Sequence, residues 1–402
     1  MKDFQDKLHK LLHQARHNFG GDYQAISKIV DEIFNFAIKI RASDIHIEPL
    51  EDFLRIRYRI DGHLHEFHEK IPISLANNFI SRIKILAKMD TTNNFSPLDG
   101  AIQFGNVEMR VATIPTKNYE SLTIRVLDTS KQLHNLSDLG FSQKNLKIFQ
   151  KAISATSGMI ILTGPMNSGK STTLYAALRE LNKPSRSIMT LEDPIEQNID
   201  GITQVQINEK VGLNFAAGLR AMLRMDANCL MVGESRDAET SRIAVRAALT
   251  GYLIFTTLHA GDSCSAVFRM IEMGVEPYLL ASTLKCVVAQ RLVRKICPNC
   301  KKLVPTNNFE KNLLNVENIF KPVGCEICNG TGYLGRIALH EILIVEKSVR
   351  DLILYSKDLD KIRDAAINSG LETLKFDAFE KIRAGLTTFE EVHRILGDEL
   401  LK

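Results

Sequence analysis

The segment Gly164-Pro165-Met166-Asn167-Ser168-Gly169-Lys170-Ser171 fits the pattern G-x-x-x-x-G-K-[ST]. It constrains the fold because this pattern works where a strand ends and a helix begins. Met159-Ile160-Ile161-Leu162-Thr163 precedes it and reads as a short buried strand. Residues 170–178 follow it and read as a helix. Strand, glycine loop and helix N-terminus together make an anion site from backbone N–H groups and the helix dipole. Lys170 can reach the β- and γ-phosphates of a nucleotide, and the Ser171 hydroxyl can ligate Mg²⁺. The expected nucleotide-binding residues are Gly164, Pro165, Asn167, Ser168, Gly169, Lys170, Ser171 and Thr172.

The flanking periodicities predict two domains of different class. Residues 1 to about 50 read as amphipathic helix, with Ile26, Ile29, Val30, Ile33, Phe34, Ala37 and Ile38 at spacings of three and four. The period then changes to two: Leu54, Ile56, Tyr58 and Ile60 alternate with Arg55, Arg57 and Arg59, and Asp61-Gly62 signals a hairpin turn. Residues 107–127 alternate similarly around Pro115. Residues 1–130 are therefore expected to form an α+β domain with an antiparallel sheet. The polar stretch DTSKQLHNLSDLG supplies a linker, placed at 131–140. In 141–402, strand candidates at 159–163, 187–192, 229–233 and 252–257 alternate with helices, as in a parallel α/β sheet.

Two of those strands end in acids. Glu192 closes the 187–192 strand in Leu191-Glu192-Asp193-Pro194-Ile195-Glu196, and carboxylates there point into the crevice where ligands bind. Phosphoryl transfer to water needs a group that orients or deprotonates the water and another that fixes the metal. Glu192 suits the first task; without the neighbouring loop it would read as a solvated acidic turn. Leu230-Met231-Val232-Gly233-Glu234 is an apolar strand ending in an acid, and Glu234 is expected to hold Mg²⁺ through water or to share the base role. His259 ends the next strand, placed to sense the γ-phosphate or bond a water, with a core histidine as the alternative.

There are seven cysteines. Cys297 and Cys300, then Cys325 and Cys328, form two C-x₂-C knuckles separated by 24 residues. Four thiolates complete a tetrahedral Zn²⁺ shell with no open position, which predicts a structural zinc. Cys229, Cys264 and Cys286 read as reduced core residues. The net charge of +4 is too weak, and the basic residues too dispersed, to argue for nucleic acid. No apolar run approaches the roughly 18 residues of a membrane span, and the first residues, MKDFQDKLHK, lack the apolar core of a signal peptide. A cytoplasmic protein is expected, associated with a membrane only through partners.

These motifs together resemble one family, the secretion ATPases of type II secretion and type IV pilus assembly. RASDIHIEP, RIRYRIDG, GPMNSGKSTTLYA, TLEDPIE, GLRAMLRMDANCLMVGESRDAET, TTLHAGDS, QRLVRKICPNC and GTGYLGRIALHEIL match its successive signature blocks in order and spacing, from about residue 41 to 395. The resemblance implies a homo-hexameric motor with a PAS-like N-terminal module, a RecA-like P-loop ATPase core and a C-terminal four-cysteine zinc subdomain at 297–328. It implies ATP, Mg²⁺ and Zn²⁺ as ligands. By this likeness Glu192 is the catalytic acid, Glu234 the Walker B acid and His259 the His-box residue. Arg110 and Arg125 match two arginines of the N-terminal module that act on the phosphates, a task suited to guanidinium forks. Arg220 and Arg224 match candidates for contact across subunits, with structural salt bridges as the alternative for any one of them.

The implied function is hydrolysis of ATP to drive pseudopilus or pilus assembly, a competence pilus included, through an inner-membrane platform protein. The cysteine knuckles favour the assembly or secretion branch over retraction. Alternatives are a nucleotide-binding scaffold with little turnover and a retraction ATPase. A nucleic-acid translocase is disfavoured because no basic stripe with interleaved aromatics is present. The chain shows no counterpart of the long N-terminal module of many assembly ATPases, so its docking to membrane partners is expected to differ. It also departs from the family pattern at Met166-Asn167, at Asp226-Ala227-Asn228, at Ser235 and at Tyr119. Asn167 stands where glycine is usual, which suggests a backbone position with positive φ.

Overall fold

Alternation of polar and apolar residues builds the first part of the chain. In the computed structural model, residues 2–17, 23–66, 70–128, 135–356 and 358–400 are described, and they divide between residues 132 and 133 into two units. The first unit carries helices α1 (Lys2–His17), α2 (Tyr23–Lys39) and α3 (Ala76–Leu86). Its strands are β1 (Asp44–Pro49), β2 (Phe53–Ile60), β3 (His63–Glu66), β4 (Ile71–Pro72), β5 (Leu98–Phe104), β6 (Val107–Pro115) and β7 (Glu120–Asp128). They form an antiparallel sheet in the order β3-β2-β1-β7-β6-β5, with β4 beside β2. Leu54, Ile56 and Tyr58 of β2 turn inward and join a core with Phe34 of α2 and Phe79 of α3. Each such buried side chain contributes about 1.5–3 kcal/mol.

Asp61 and Gly62 both take positive φ, and Ile60 pairs with His63, so β2 and β3 are joined by the expected two-residue turn. One expectation fails: of the helical reading to about residue 50, residues 18–22 lie outside the described residues, α1 and α2 fit it, and beyond Lys39 it does not hold. Residues 44–49 form β1, where buried Ile45 and Ile47 alternate with Asp44, His46 and Glu48. The period-two signal there is only six residues long and follows a stronger helical one.

The second unit holds a seven-stranded sheet in the order β10-β9-β11-β12-β8-β13-β16. Its strands are β8 (Gly158–Thr163), β9 (Ile188–Glu192), β10 (Thr203–Gln206), β11 (Cys229–Val232), β12 (Leu253–Leu258), β13 (Leu284–Ile296) and β16 (Tyr333–Ile344). All neighbours are parallel except β16, which runs antiparallel to β13. β8 and β12 are buried along their whole length, as parallel strands covered on both faces should be. Met159 and Ile161 face one core, Ile160 and Leu162 the other. The covering helices include α4 (Gln143–Ile153), α5 (Lys170–Leu181), α6 (Phe215–Met222), α7 (Ala238–Leu249), α8 (Ser263–Glu272) and α9 (Pro277–Thr283).

Between β13 and β16 the chain makes a small lobe of β14 (Lys302–Pro305), α10 (Asn308–Leu314) and β15 (Asn318–Lys321). Helices α11 (Lys347–Tyr355), α12 (Leu359–Asn368), α13 (Leu374–Arg383) and α14 (Phe389–Leu396) follow. Of the polar stretch at 131–140, residues 131–134 lie outside the described residues, and Leu136–Leu139 forms a 3₁₀ helix with Leu136 buried in the second unit.

Candidate active site

The loop after β8 curls because its backbone adopts conformations that most side chains resist. Gly164, Asn167 and Gly169 have φ of +150°, +61° and +87°. Asparagine tolerates this region better than other residues with a Cβ, which explains how Asn167 occupies it. Met166 is 78% exposed at the loop's tip, and nothing in the structure explains its presence. A Cβ on Gly164 would lie 2.4 Å from the carbonyl oxygen of Gln290, and one on Gly169 2.7 Å from its Nε2. The loop delivers the chain into α5, a 12-residue helix whose N-terminus begins at Lys170. Lys170 Nζ donates to the carbonyls of Gly164 (2.8 Å) and Pro165 (2.9 Å). Burial pushes its pKa down to about 8, against the pull of Glu234 and Glu196. The hydroxyl of Ser168 is buried without a hydrogen-bond partner. Curled loop, helix N-terminus and lysine fit a polyphosphate.

Glu192, at the end of β9, is 4% exposed and held by three donors. The Tyr175 hydroxyl from α5 donates to Oε2. Thr190 (2.5 Å) and Gln204 (3.1 Å) donate to Oε1. Burial, then the bond to Glu192, pushes the Tyr175 phenol well above its usual range, so it stays protonated and donates. The same hydroxyl accepts from the backbone N–H of Glu196 at 3.2 Å, and Ser171 Oγ donates to Glu196 Oε1 at 3.3 Å.

Glu234 follows β11, ion-paired with Arg236 and 3.9 Å from Nε2 of His259. Ser171, Glu192, Asp193, Glu196 and Glu234 line one cleft of about 150 Å³ beside α5. Its hard oxygen lining suits Mg²⁺.

The second unit thus brings Lys170, Ser171, Glu192, Glu234 and His259 to one end of the sheet. Arg110 and Arg125 belong to the first unit, where they pair directly across β6 and β7. Arg125 also pairs across β1 with Asp44, whose carboxylate lies 3.5 Å away. Arg220 is exposed and ion-paired with Glu239, and Arg224 donates to the Arg220 carbonyl at 3.1 Å.

Among the described residues, the four knuckle cysteines form a cluster with all Sγ atoms within 4.8 Å of one another. Sγ separations are 3.9 Å for Cys297–Cys325, 3.8 Å for Cys300–Cys328 and 3.7 Å for Cys325–Cys328. A tetrahedron with Zn–S of about 2.3 Å has edges of about 3.8 Å, so the set fits zinc. Disulfides would need S–S near 2.05 Å. Backbone N–H groups of Gly324 (3.3 Å) and Gly332 (3.2 Å) point at Cys300 and Cys328 sulfurs, as thiolates require.

Tyr175, Thr190 and Gln290 fall within the signature blocks, but their roles, and that of Gln204, do not show in the sequence. The signals were a buried tyrosine on an apolar helix face and an amide inside the apolar strand β13. The odd Ser235 finds a local reason: its hydroxyl bonds that of Ser241 at 2.6 Å.

The sequence profile described as type II/IV secretion system protein matches residues 21–394. The chain belongs to that family. Its relatives include a type II secretion system protein E of Aeromonas hydrophila, 42% identical over 390 residues, covering 94% of this chain and 77% of the relative. A type IV pilus assembly ATPase PilB of Myxococcus xanthus is 41% identical over 386 residues, covering 92% and 68%. Membership makes the chain an ATPase. The ATPase DotB of Legionella pneumophila superposes with a TM-score of 0.68 at 23% identity, covering 92% of this chain and 95% of that one, which shows the shared fold. The second unit is the family's RecA-like core. Among the described residues, no helix is long and apolar enough to cross a membrane.

Proposed function

We propose that this chain hydrolyses Mg–ATP at the Gly164–Ser171 loop to drive assembly of a pseudopilus or pilus at the inner membrane. The observation that carries the reading is the single cleft shared by Ser171, Glu192 and Glu234 at the end of α5. Lys170 and the loop N–H groups hold the phosphates. Ser171 and Glu234 hold Mg²⁺, which neutralises charge on the phosphate oxygens. Glu192 orients the attacking water and accepts its proton, in a reaction dominated by positioning and charge stabilisation. His259, beside Glu234, senses the γ-phosphate. The loop residues Gly164, Pro165, Asn167, Ser168, Gly169 and Thr172 shape the phosphate site.

In this reading the working unit is a homo-hexamer on the cytoplasmic side, joined to the membrane by a platform protein. Residues 1–130 act as a mobile module, and Arg110 and Arg125 bring phosphate-seeking charge from it. Arg220 and Arg224 reach a neighbouring subunit, and Zn²⁺ fixes the 297–328 lobe. The identities to a type II secretion protein E and to an assembly ATPase support assembly as the direction of work. Mg²⁺-dependent phosphate release by the purified chain, with Lys170→Ala as the blank, tests the reading. A parent no faster than the blank contradicts it.

A further inference from the structure

Gln290 lies in the middle of β13, 2% exposed, among side chains that are otherwise mostly apolar. Its neighbour Ala289 pairs with Thr163, the last residue of β8 before the phosphate loop. Its Nε2 donates to the Ser168 carbonyl at 2.8 Å, and its Oε1 accepts from Thr173 Oγ1 at 2.8 Å. The orientation of the amide is forced. A carbonyl only accepts, so the NH₂ end must face Ser168, which leaves Oε1 for the Thr173 hydroxyl. Both glycines that bracket the loop are needed where Gln290 approaches, at 2.4 and 2.7 Å from their would-be Cβ atoms.

We infer that Gln290 is a positioning residue for nucleotide binding: it holds the phosphate loop in its anion-binding shape. In a planar trans peptide, C=O and N–H point in opposite directions. Holding the Ser168 carbonyl toward β13 therefore aims the Gly169 N–H away from it. Released, that peptide can turn, and a carbonyl dipole would then oppose the phosphates instead of an N–H meeting them. Thr173, one turn into α5, fixes the amide and so links the loop's shape to the helix that carries Lys170 and Ser171. The next residue, Arg291, ties the loop after His259 in a similar way, with Nη2 donating to the Gly261 carbonyl at 2.5 Å. The inference rests on the proposed nucleotide site and gives a role to a residue of the QRLVRKICPNC block for which the sequence suggested none.

The test uses full-length parent, Gln290→Met, Thr173→Val and the double variant. Methionine keeps the volume of glutamine and removes both hydrogen bonds; valine keeps the shape of threonine. Affinity for N-methylanthraniloyl-ADP, steady-state phosphate release and the melting temperature of the nucleotide-free protein are measured. The expected result is nucleotide binding weakened about tenfold in Gln290→Met, equivalent to about 1.4 kcal/mol. A several-fold loss is expected in Thr173→Val. The double variant should bind no worse than Gln290→Met alone, because the two residues act through one amide. KM for ATP should rise more than kcat falls, and the buried Thr173 hydroxyl and Ser168 carbonyl left unpaired should lower the melting temperature by several degrees without preventing folding. Parent-like binding by Gln290→Met overturns the inference, as does a double variant whose loss is the product of the two single losses. If Gln290→Met does not fold, Thr173→Val decides: several-fold weaker binding supports the inference and unchanged binding overturns it. Failure of the parent itself to bind the probe would instead overturn the proposed nucleotide site.

Discussion

The Tyr175 hydroxyl donates to Oε2 of Glu192, and Thr190 and Gln204 occupy Oε1. Three donors on one buried carboxylate fix its direction. Tyr175→Phe removes one donor and leaves Oε2 buried without it, a loss of about 1–3 kcal/mol. The expected result is kcat for ATP lowered about tenfold, with KM within about twofold. Steady-state phosphate release across ATP concentrations checks it. An equal rise in KM would mean that Tyr175 serves binding rather than the placement of Glu192.

Arg110 and Arg125 face each other across β6 and β7, and the carboxylates of Glu108 (3.3 Å) and Asp44 (3.5 Å) offset the repulsion between these like charges. In the proposed site they serve phosphate, and ion pairs as exposed as theirs contribute little to stability, so each should be removable without unfolding the first unit. Arg110→Ala and Arg125→Ala are each expected to leave the melting temperature unchanged or slightly raised, while ATPase activity falls at least about tenfold, equivalent to about 1.4 kcal/mol. Differential scanning calorimetry beside the rate measurement checks both halves.

Lys170 has its pKa lowered to about 8 by burial. In the nucleotide-free chain it is therefore mostly neutral above that pH. Phosphates favour the ammonium and raise the pKa again, so binding at pH 8.5 should take up about half a proton or more. At pH 7 Lys170 is already charged and takes up almost none. Affinity should fall as pH rises through 8 and above. Titration calorimetry in two buffers of different ionisation enthalpy measures the uptake, and Lys170→Ala should abolish it.

The sulfur separations at Cys297, Cys300, Cys325 and Cys328 predict one zinc per chain with four sulfur ligands. X-ray absorption should give Zn–S near 2.3 Å. Cys300→Ser should lose the metal and lower the melting temperature by roughly 10 °C, taking about 3 kcal/mol lost and about 3 °C per kcal/mol.

The parts of the site that were legible in the sequence are those made by neighbours in the chain. The loop from Gly164 to Ser171, the acids that close β9 and β11, and the cysteine pairs each signal their chemistry within a few residues. Asn167 is legible in the same way, since the demand for positive φ shows as glycine or asparagine. The grip on Glu192 and the hold of Gln290 on Ser168 were not legible. Thr190 is a neighbour of Glu192 on β9, but Tyr175 and Gln204 reach it from α5 and β10, and Gln290 reaches Ser168 across 122 positions, contacts that only the packing of separate elements creates. The strand Asp44–Pro49 was missed because six alternating residues compete with seventeen of helical period in α2.

The central claim is that Glu192 serves the attacking water in ATP hydrolysis. Single-turnover and steady-state phosphate release, parent against Glu192→Gln, tests it most directly, with N-methylanthraniloyl-ADP binding as the control for the site. The account predicts a parent that turns over with Mg²⁺ and a Glu192→Gln chain that binds nucleotide as tightly but hydrolyses at least about 100-fold more slowly, in the range for loss of a general base. Hydrolysis by Glu192→Gln at the parent's rate would contradict it.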